Sequence, residues 1–175
     1  MENYLNELLA LIKSKNKLTA LTSSIILPDV CGSLEYPNEA SSRKRYTDWF
    51  EGFMYKDLTR KVLTGDEAYG MRCVLLHHGE NSYAEYTKRY SKSGIILDKF
   101  VIYEGPSHLI KVENTKINEV SLENVILVNP LVYSTELIEA AREWLKNADP
   151  DLIEAANNLF YIQKTPFSNG VMQIY

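Results

Sequence analysis

Residues 63–79 read LTGDEAYGMRCVLLHHG, and this stretch carries the start and stop signals of one complete helix. Thr64 is followed three positions later by Glu67, the spacing of a capping box. In that motif the hydroxyl accepts from the Glu67 amide and the carboxylate accepts from the Thr64 amide. Gly79 suits the other end, because glycine tolerates the left-handed conformation that follows many helices. We therefore predict a helix from Thr64 to Gly79.

The N-terminal third of the chain is also predicted to be helical. Leucines and isoleucines recur at helical spacing up to Pro28, and this spacing permits either one long helix or two. Residues 28–32 predict a break or a short turn, and Ser41 or Ser42 is in position to cap the next helix. That helix carries bulky side chains at i, i+3, i+4 and i+7, a stripe more typical of a core than of a base-stacking platform: Tyr46, Trp49, Phe50 and Phe53.

The hydrophobic pattern changes period after the central helix. Residues 94–103 are β-branched and aromatic, residues 104–107 are a turn signal and residues 108–112 alternate, which together predict a β-hairpin. An apolar run at 125–128 predicts one more strand, ended by Asn129 and Pro130. Helical spacing then returns, and Asp149 with Pro150 marks the start of a last helix.

These patterns predict a mainly α chain of the α+β class. We expect a single helical domain over residues 1–175, in which a small antiparallel β insertion at about residues 94–128 separates the central helix from the C-terminal helices. A chain of 175 residues is long enough to bury a core without disulfides or metals.

Composition limits the classes of function. The formal net charge of −4 argues against avid, purely electrostatic binding to nucleic acid or to an anionic membrane. Only Cys31 and Cys73 are present and no signal peptide is apparent, so we expect a cytoplasmic protein. No apolar run approaches the roughly 20 residues that a membrane helix needs, so we expect no membrane association.

Several chemistries are disfavoured by the motifs. The sequence contains no glycine-rich phosphate loop, no H-E-x-x-H helix and no G-x-S-x-G elbow. His77 and His78 would project about 100° apart on a helix and would not share one ion, so we expect neither a metal nor a cofactor. Cys73 as a nucleophile is also disfavoured, because a cysteine within an apolar helix is more often an inert buried thiol.

The remaining candidate is Arg72 with His77, near the end of the predicted central helix. Arginine offers a planar, permanently charged fork for a phosphate, while histidine titrates near neutrality and can accept or donate a proton. Such a pair can cleave RNA without a metal if the two side chains converge. Residues five apart on a straight α-helix differ by about 140° in direction, so convergence requires either an early helix end or a second subunit.

This R-x-x-x-x-H pattern, at the end of an apolar helix in a helical bundle, resembles the HEPN superfamily. The resemblance implies a metal-independent RNA endonuclease of a bacterial defence or toxin-type system, with Arg72 and His77 as the catalytic pair. It also implies a homodimer that completes the site, with RNA as substrate and a protein partner or antitoxin as regulator. Cys73 stands where active members often carry a polar residue. The order of sequence blocks also resembles that of bacterial proteins without an assigned function.

A second hypothesis is a catalytically silent helical protein that binds a nucleotide, RNA or protein partner. In that case Arg72 would tie helices together by pairing with Asp29, Glu35 or Asp66, and His77 would bond a carbonyl at the helix end. Asp29 would otherwise support the site by tuning the protonation of the Arg–His pair. His78 and Cys73 are the other possible supporting residues.

One further histidine lies away from the central helix. His108 falls on the predicted hairpin, where we expect a strand surface residue rather than a member of the site.

Overall fold

Helices form most of the architecture, and a small sheet interrupts them between the fifth and sixth helix. The computed structural model describes residues 1–55, 61–78, 99–117 and 120–159. The helices of these residues are α1 (Glu2–Lys13), α2 (Lys17–Ser24), α3 (Leu27–Glu35), α4 (Ser42–Phe53), α5 (Gly65–Cys73), α6 (Pro130–Asn147) and α7 (Pro150–Leu159). A π-helical turn, Val74–His78, continues α5. The strands are β1 (Lys99–Ile102), β2 (Leu109–Ile117) and β3 (Val120–Val128). The predicted α+β class, mainly helical, is confirmed.

The sheet has a different strand order from the one predicted. Its order is β1-β3-β2, with β1 parallel to β3 and β2 antiparallel to β3, so the sheet is mixed rather than antiparallel. The predicted hairpin between residues 94–103 and 108–112 is therefore wrong, although the chain does bend at residues 105–108, one position after the predicted turn. Local turn signals do not specify which strands become neighbours. The most apolar run, 125–128, takes the central position, where pairing on both sides satisfies its backbone. Residues 94–98 lie outside the described part.

Pro28 lies in the first turn of a helix rather than at the end of one. The break predicted at residues 28–32 is wrong, because these residues belong to α3, in which Pro28 occupies the first turn. Proline is tolerated there because the first amides of a helix have no partner within the helix. The preceding segment forms two helices, α1 and α2. Asp29 therefore lies in the first turn of a helix and not in a loop.

The aromatic stripe of α4 forms the centre of the core, as predicted. Tyr46, Trp49 and Phe50 are fully buried, and Phe53 packs against the core while half-buried. Ser41 caps the helix by accepting from the Lys44 amide at 3.2 Å. Burying such large rings stabilises the fold by about 1.5–3 kcal/mol each relative to their exposure. Both α3 and α5 pack against α4.

Two glycines let α4 approach its neighbours closely. A Cβ at Gly32 would lie 2.5 Å from the Arg45 carbonyl oxygen, and a Cβ at Gly65 would lie 2.8 Å from the Thr47 carbonyl oxygen. Neither distance is compatible with a side chain, so these positions fix the spacing of α3 and α5 on α4. α3 and α5 therefore sit against the same helix, and their side chains can meet.

Besides the packing of Phe100, Leu109 and Ile126 in the core, polar contacts join the sheet region to the helices, and two of them include a buried side chain. Lys111 of β2 lies 3.2 Å from both carboxylate oxygens of Glu67, whose side chain is fully buried. At the other contact, Nδ1 of His108 lies 3.2 Å from Oε1 of Glu136 on α6. Within the described ranges, no helix is long and apolar enough to span a membrane.

Candidate functional site around Arg72

The helix that carries the site begins as the sequence predicts. Thr64 accepts from the Glu67 amide at 3.2 Å, and the Thr64 amide donates to the Glu67 carboxylate at 2.8 Å, which completes the capping box. Glu67 is therefore held at both ends, by the cap and by Lys111. These contacts fix where α5 begins and how its side chains are oriented, including Arg72 near its end.

The helix ends differently from the prediction. α-helical geometry stops at Cys73, and Val74–His78 form a π-helical turn. π-helical turns are rare, and they are frequently found at functional sites. Arg72 lies just before this transition and position 77 within it. Gly79, the predicted helix stop, lies outside the described residues.

Arg72 makes a direct ion pair with Asp29. Its Nε donates to Asp29 Oδ2 at 2.8 Å, and the two side chains are 20% and 22% exposed. Of the three carboxylates considered from the sequence, Asp29 is thus the one that Arg72 contacts. Asp66 instead lies 2.6 Å from Arg43, and Glu35 accepts from the Trp144 indole at 2.7 Å. The contact between Asp29 and Arg72 joins the first turn of α3 to the last turn of α5.

The surroundings of Arg72 keep its guanidinium charged. Burial lowers the pKa of Arg72, but the charge of Asp29, its hydrogen bond and the neighbouring Cys73 side chain outweigh this effect, so the pKa is raised above the ordinary value. Arginine is protonated under all physiological conditions in any case. The site therefore holds a permanent cation beside a carboxylate.

Tyr69 is a neighbour of Arg72 that the sequence analysis did not single out. The Arg72 guanidinium carbon lies 5.9 Å from the centre of the Tyr69 ring, within the range of a cation–π interaction. The Tyr69 ring meets the buried Tyr46 edge to face, with centroids 5.3 Å apart. The i, i+3 spacing of Tyr69 and Arg72 was the available signal, because such residues share one helix face.

Of the remaining predicted site residues, the structure describes Cys73 completely and only the backbones of His77 and His78. Cys73 is buried, with 6% of its surface exposed, and it is adjacent to Arg72. The backbones of His77 and His78 lie in the π turn, but their side chains lie outside what the structure describes. The structure thus brings together Arg72, Asp29, Tyr69 and Cys73, and it places position 77 one turn further along the same helical segment.

His108 and a possible metal site are the two remaining features considered from the sequence. His108 is buried, with 7% of its surface exposed, so the predicted surface position on a strand is wrong. It directly precedes β2 and packs between Glu136 and the Tyr55 ring, and a short alternating run does not reveal which face is covered. Over the ranges that the structure describes, no three histidine, cysteine, aspartate or glutamate side chains are grouped as a metal site.

Searches among protein-family models, curated proteins and solved structures found no match to this chain.

Proposed function

We propose that the chain is a HEPN-like, metal-independent RNA endonuclease in which Arg72 holds the scissile phosphate and His77 is the general acid or base. The observation that carries the proposal is the position of this pair across the transition from α5 to the π turn. A π turn advances less around the helix axis per residue than an α turn does. Positions 72 and 77 are then closer in direction than the about 140° expected on a straight α-helix.

Arg72 has the chemistry that phosphate binding requires. Its charge is permanent, its side chain retains 20% exposure, and its planar fork matches two phosphate oxygens. In the reaction the fork would stabilise the additional negative charge that develops on the phosphate oxygens as the transition state forms. Asp29 would act as a positioning residue, because its bond to Nε fixes the plane of the guanidinium.

The proposed reaction is a transesterification within the RNA. A neutral His77 takes the proton of a ribose 2′-hydroxyl, the 2′-oxygen attacks the adjacent phosphorus, and the bond from phosphorus to the 5′-oxygen breaks. Water or a second, protonated imidazole supplies the proton to the departing 5′-oxygen. The products are a 2′,3′-cyclic phosphate and a free 5′-hydroxyl, so the reaction is redox-neutral and consumes no other reactant.

The proposal includes a homodimer as the active species. A second copy would supply the second imidazole and would close the groove around the phosphate. The same proposal places the protein in the cytoplasm, as a defence or toxin-type nuclease whose activity an antitoxin or another protein partner restrains.

The test uses the purified full-length chain and RNA in excess chelator. Wild type is expected to generate fragments that end in a cyclic phosphate. A DNA strand of the same sequence is expected to remain intact, because it lacks the attacking 2′-hydroxyl. His77→Ala should abolish cleavage, while His78→Ala, the matched control at the adjacent histidine, should retain it. Cleavage that stops in chelator, or equal cleavage by wild type and His77→Ala, would refute the proposal.

A second candidate is a catalytically silent protein that binds a nucleotide, RNA or protein partner through the same surface. The ion pair between Arg72 and Asp29 favours it, because a paired arginine already has a structural role in joining two helices. If this candidate is correct, a bound nucleotide or RNA should raise the melting temperature of the protein, and no RNA should be cleaved. Absence of any shift in melting temperature with nucleotides or RNA would eliminate its nucleic-acid version.

A further inference from the structure

We infer that two copies of the chain associate edge to edge through β2, so that their two sheets join into one. This inference rests on the homodimer of the proposed function and names the surface that holds it together. The carrying observation is the outer edge of β2, a strand of nine residues that, among the described residues, pairs with β3 alone. A long edge strand presents a row of unpaired backbone groups that a second strand can pair with.

The ladder between β2 and β3 determines which backbone groups of β2 face outward. At its end the Asn129 amide donates to the His108 carbonyl at 2.9 Å. Because successive residues of a strand direct their backbone groups to alternate sides, every second residue of β2, counted from His108, bonds to β3. The amides and carbonyls of Lys111 and Glu113 therefore point to the open edge.

The charges of β2 select one register for the pair. Lys111 and Glu113 lie on the same face of the strand, and antiparallel pairing about Val112 places Lys111 of each copy opposite Glu113 of the other. An axis at Lys111 or at Glu113 would instead place like charges opposite each other, which is unfavourable. A charge of one sign on an edge strand discourages pairing. The two opposite charges of β2 are complementary to a second copy of themselves.

Apolar side chains on the other face of β2 also favour this register. Ile110 is 37% exposed and Val112 is half-buried. At the axis Val112 would lie opposite its own copy, and this pair is not hydrogen-bonded, because the backbone of Val112 bonds to β3. Such pairs bring their side chains closest together, and β-branched residues pack well in them.

The pairing would bring the helices that carry Arg72 towards the axis. Lys111, next to the axis residue, lies 3.2 Å from the Glu67 carboxylate in the first turn of α5. Arg72 lies five positions further, about 7.5 Å along the helix. A two-fold axis perpendicular to the joined sheet would therefore place both copies of α5 on the same side of it.

Sedimentation of the full-length chain over a roughly hundredfold range of concentration measures the dissociation constant of the dimer. Glu113→Lys puts a lysine opposite Lys111 at two symmetry-related positions and should raise this constant about tenfold or more. Glu154→Lys, the same charge change at an exposed position of α7, should leave it within about threefold. Glu113→Pro removes an outward amide but no bond to β3, and should abolish the dimer.

Disulfide cross-linking tests the register directly. Val112→Cys should form a disulfide between copies under oxidising conditions, because the two Cα atoms at the axis would lie about 4.5 Å apart. Ile110→Cys is the matched control, since its Cα atoms would lie roughly 14 Å apart, too far for a disulfide. Both native cysteines are buried, so cross-linking reports the introduced thiol.

The outcomes separate this inference from the proposed function. If the chain is dimeric but both Glu113 variants dimerise as wild type does, the pairing through β2 is wrong while the homodimer stands. Cross-linking of Ile110→Cys in preference to Val112→Cys also overturns it. If wild type is monomeric at every concentration, the pairing and the homodimer both fall, and RNA cleavage in chelator tests the nuclease separately. Thermal melting shows whether a variant that loses the dimer is still folded.

Discussion

Arg72 Nε and Asp29 Oδ2 lie 2.8 Å apart and connect the last turn of α5 to the first turn of α3, although 43 positions separate the two residues in sequence. The contact exists because both helices rest on α4, where Gly32 and Gly65 allow a close approach. The packing of apolar and small residues thus decides which carboxylate the arginine meets. The stability of the fold and the proposed phosphate site therefore depend on the same ion pair.

The ion pair should contribute measurably to stability. We expect Asp29→Asn and Arg72→Gln each to lower the free energy of unfolding by about 1–2 kcal/mol, because both side chains are largely buried and each loses a charged partner. The double variant should be less destabilised than the sum, with a coupling of about 1 kcal/mol in denaturant titrations. Additive effects would show that the pair is not an energetic unit.

The close approach of α3 and α4 gives a matched pair of glycine substitutions. Gly32→Ala should destabilise the protein by about 1–3 kcal/mol, since its Cβ would lie 2.5 Å from the Arg45 carbonyl oxygen. Gly52→Ala, which meets nothing within 4 Å on α4, should instead stabilise it by about 0.5–1 kcal/mol. Chemical denaturation measures both, and equal effects of the two substitutions would contradict the described packing.

Cys31 should be unreactive in the folded chain. It is fully buried, and burial raises the pKa of its thiol, so the reactive thiolate is scarce. In the Cys73→Ala background, a thiol reagent should label Cys31 only at the rate of unfolding, and raising the pH from 7 to 9 should accelerate labelling little. Rapid, pH-dependent labelling under native conditions would show that α3 does not cover this side chain.

The proposed dimer predicts no complementation between inactive variants. Arg72→Gln and His77→Ala should each be inactive on RNA, since one lacks the phosphate fork and the other the proton-transfer group. Because Arg72 and His77 of one copy form the pair, and the second copy supplies only the second imidazole, a mixed dimer of the two variants contains no complete pair and should stay inactive. Sedimentation verifies that the mixture is dimeric. Recovery of up to about half of the wild-type rate in a verified mixed dimer would show instead that the two groups of one site come from different copies.

Features encoded by neighbouring residues could be predicted from the sequence. The capping box of Thr64 and Glu67 and the buried aromatic stripe of α4 follow from spacing along one helix. The strand order could not be predicted, because the turn signal at residues 104–107 does not reveal that β3 lies between β1 and β2. Pro28 misled for a related reason, since proline both ends helices and occupies their first turn.

For the site, the sequence indicated Arg72 and named Asp29 among three possible partners. The choice among them depends on how α3 and α5 pack on α4, which is a property of the tertiary structure. The π turn depends on local backbone geometry for which Val74 to Leu76 carry no distinctive signal. Tyr69 was overlooked because a single aromatic residue at i−3 from an arginine is common on helices.

The most direct test of the central claim is the single-turnover rate of RNA cleavage in excess chelator, compared between wild type, His77→Ala and His78→Ala. Loss of a general acid or base typically costs a factor of about 10²–10⁴. The account predicts a loss of this size for His77→Ala and a rate within about threefold of wild type for His78→Ala. Equal rates for wild type and His77→Ala, or no cleavage by wild type of any single-stranded RNA, would contradict it.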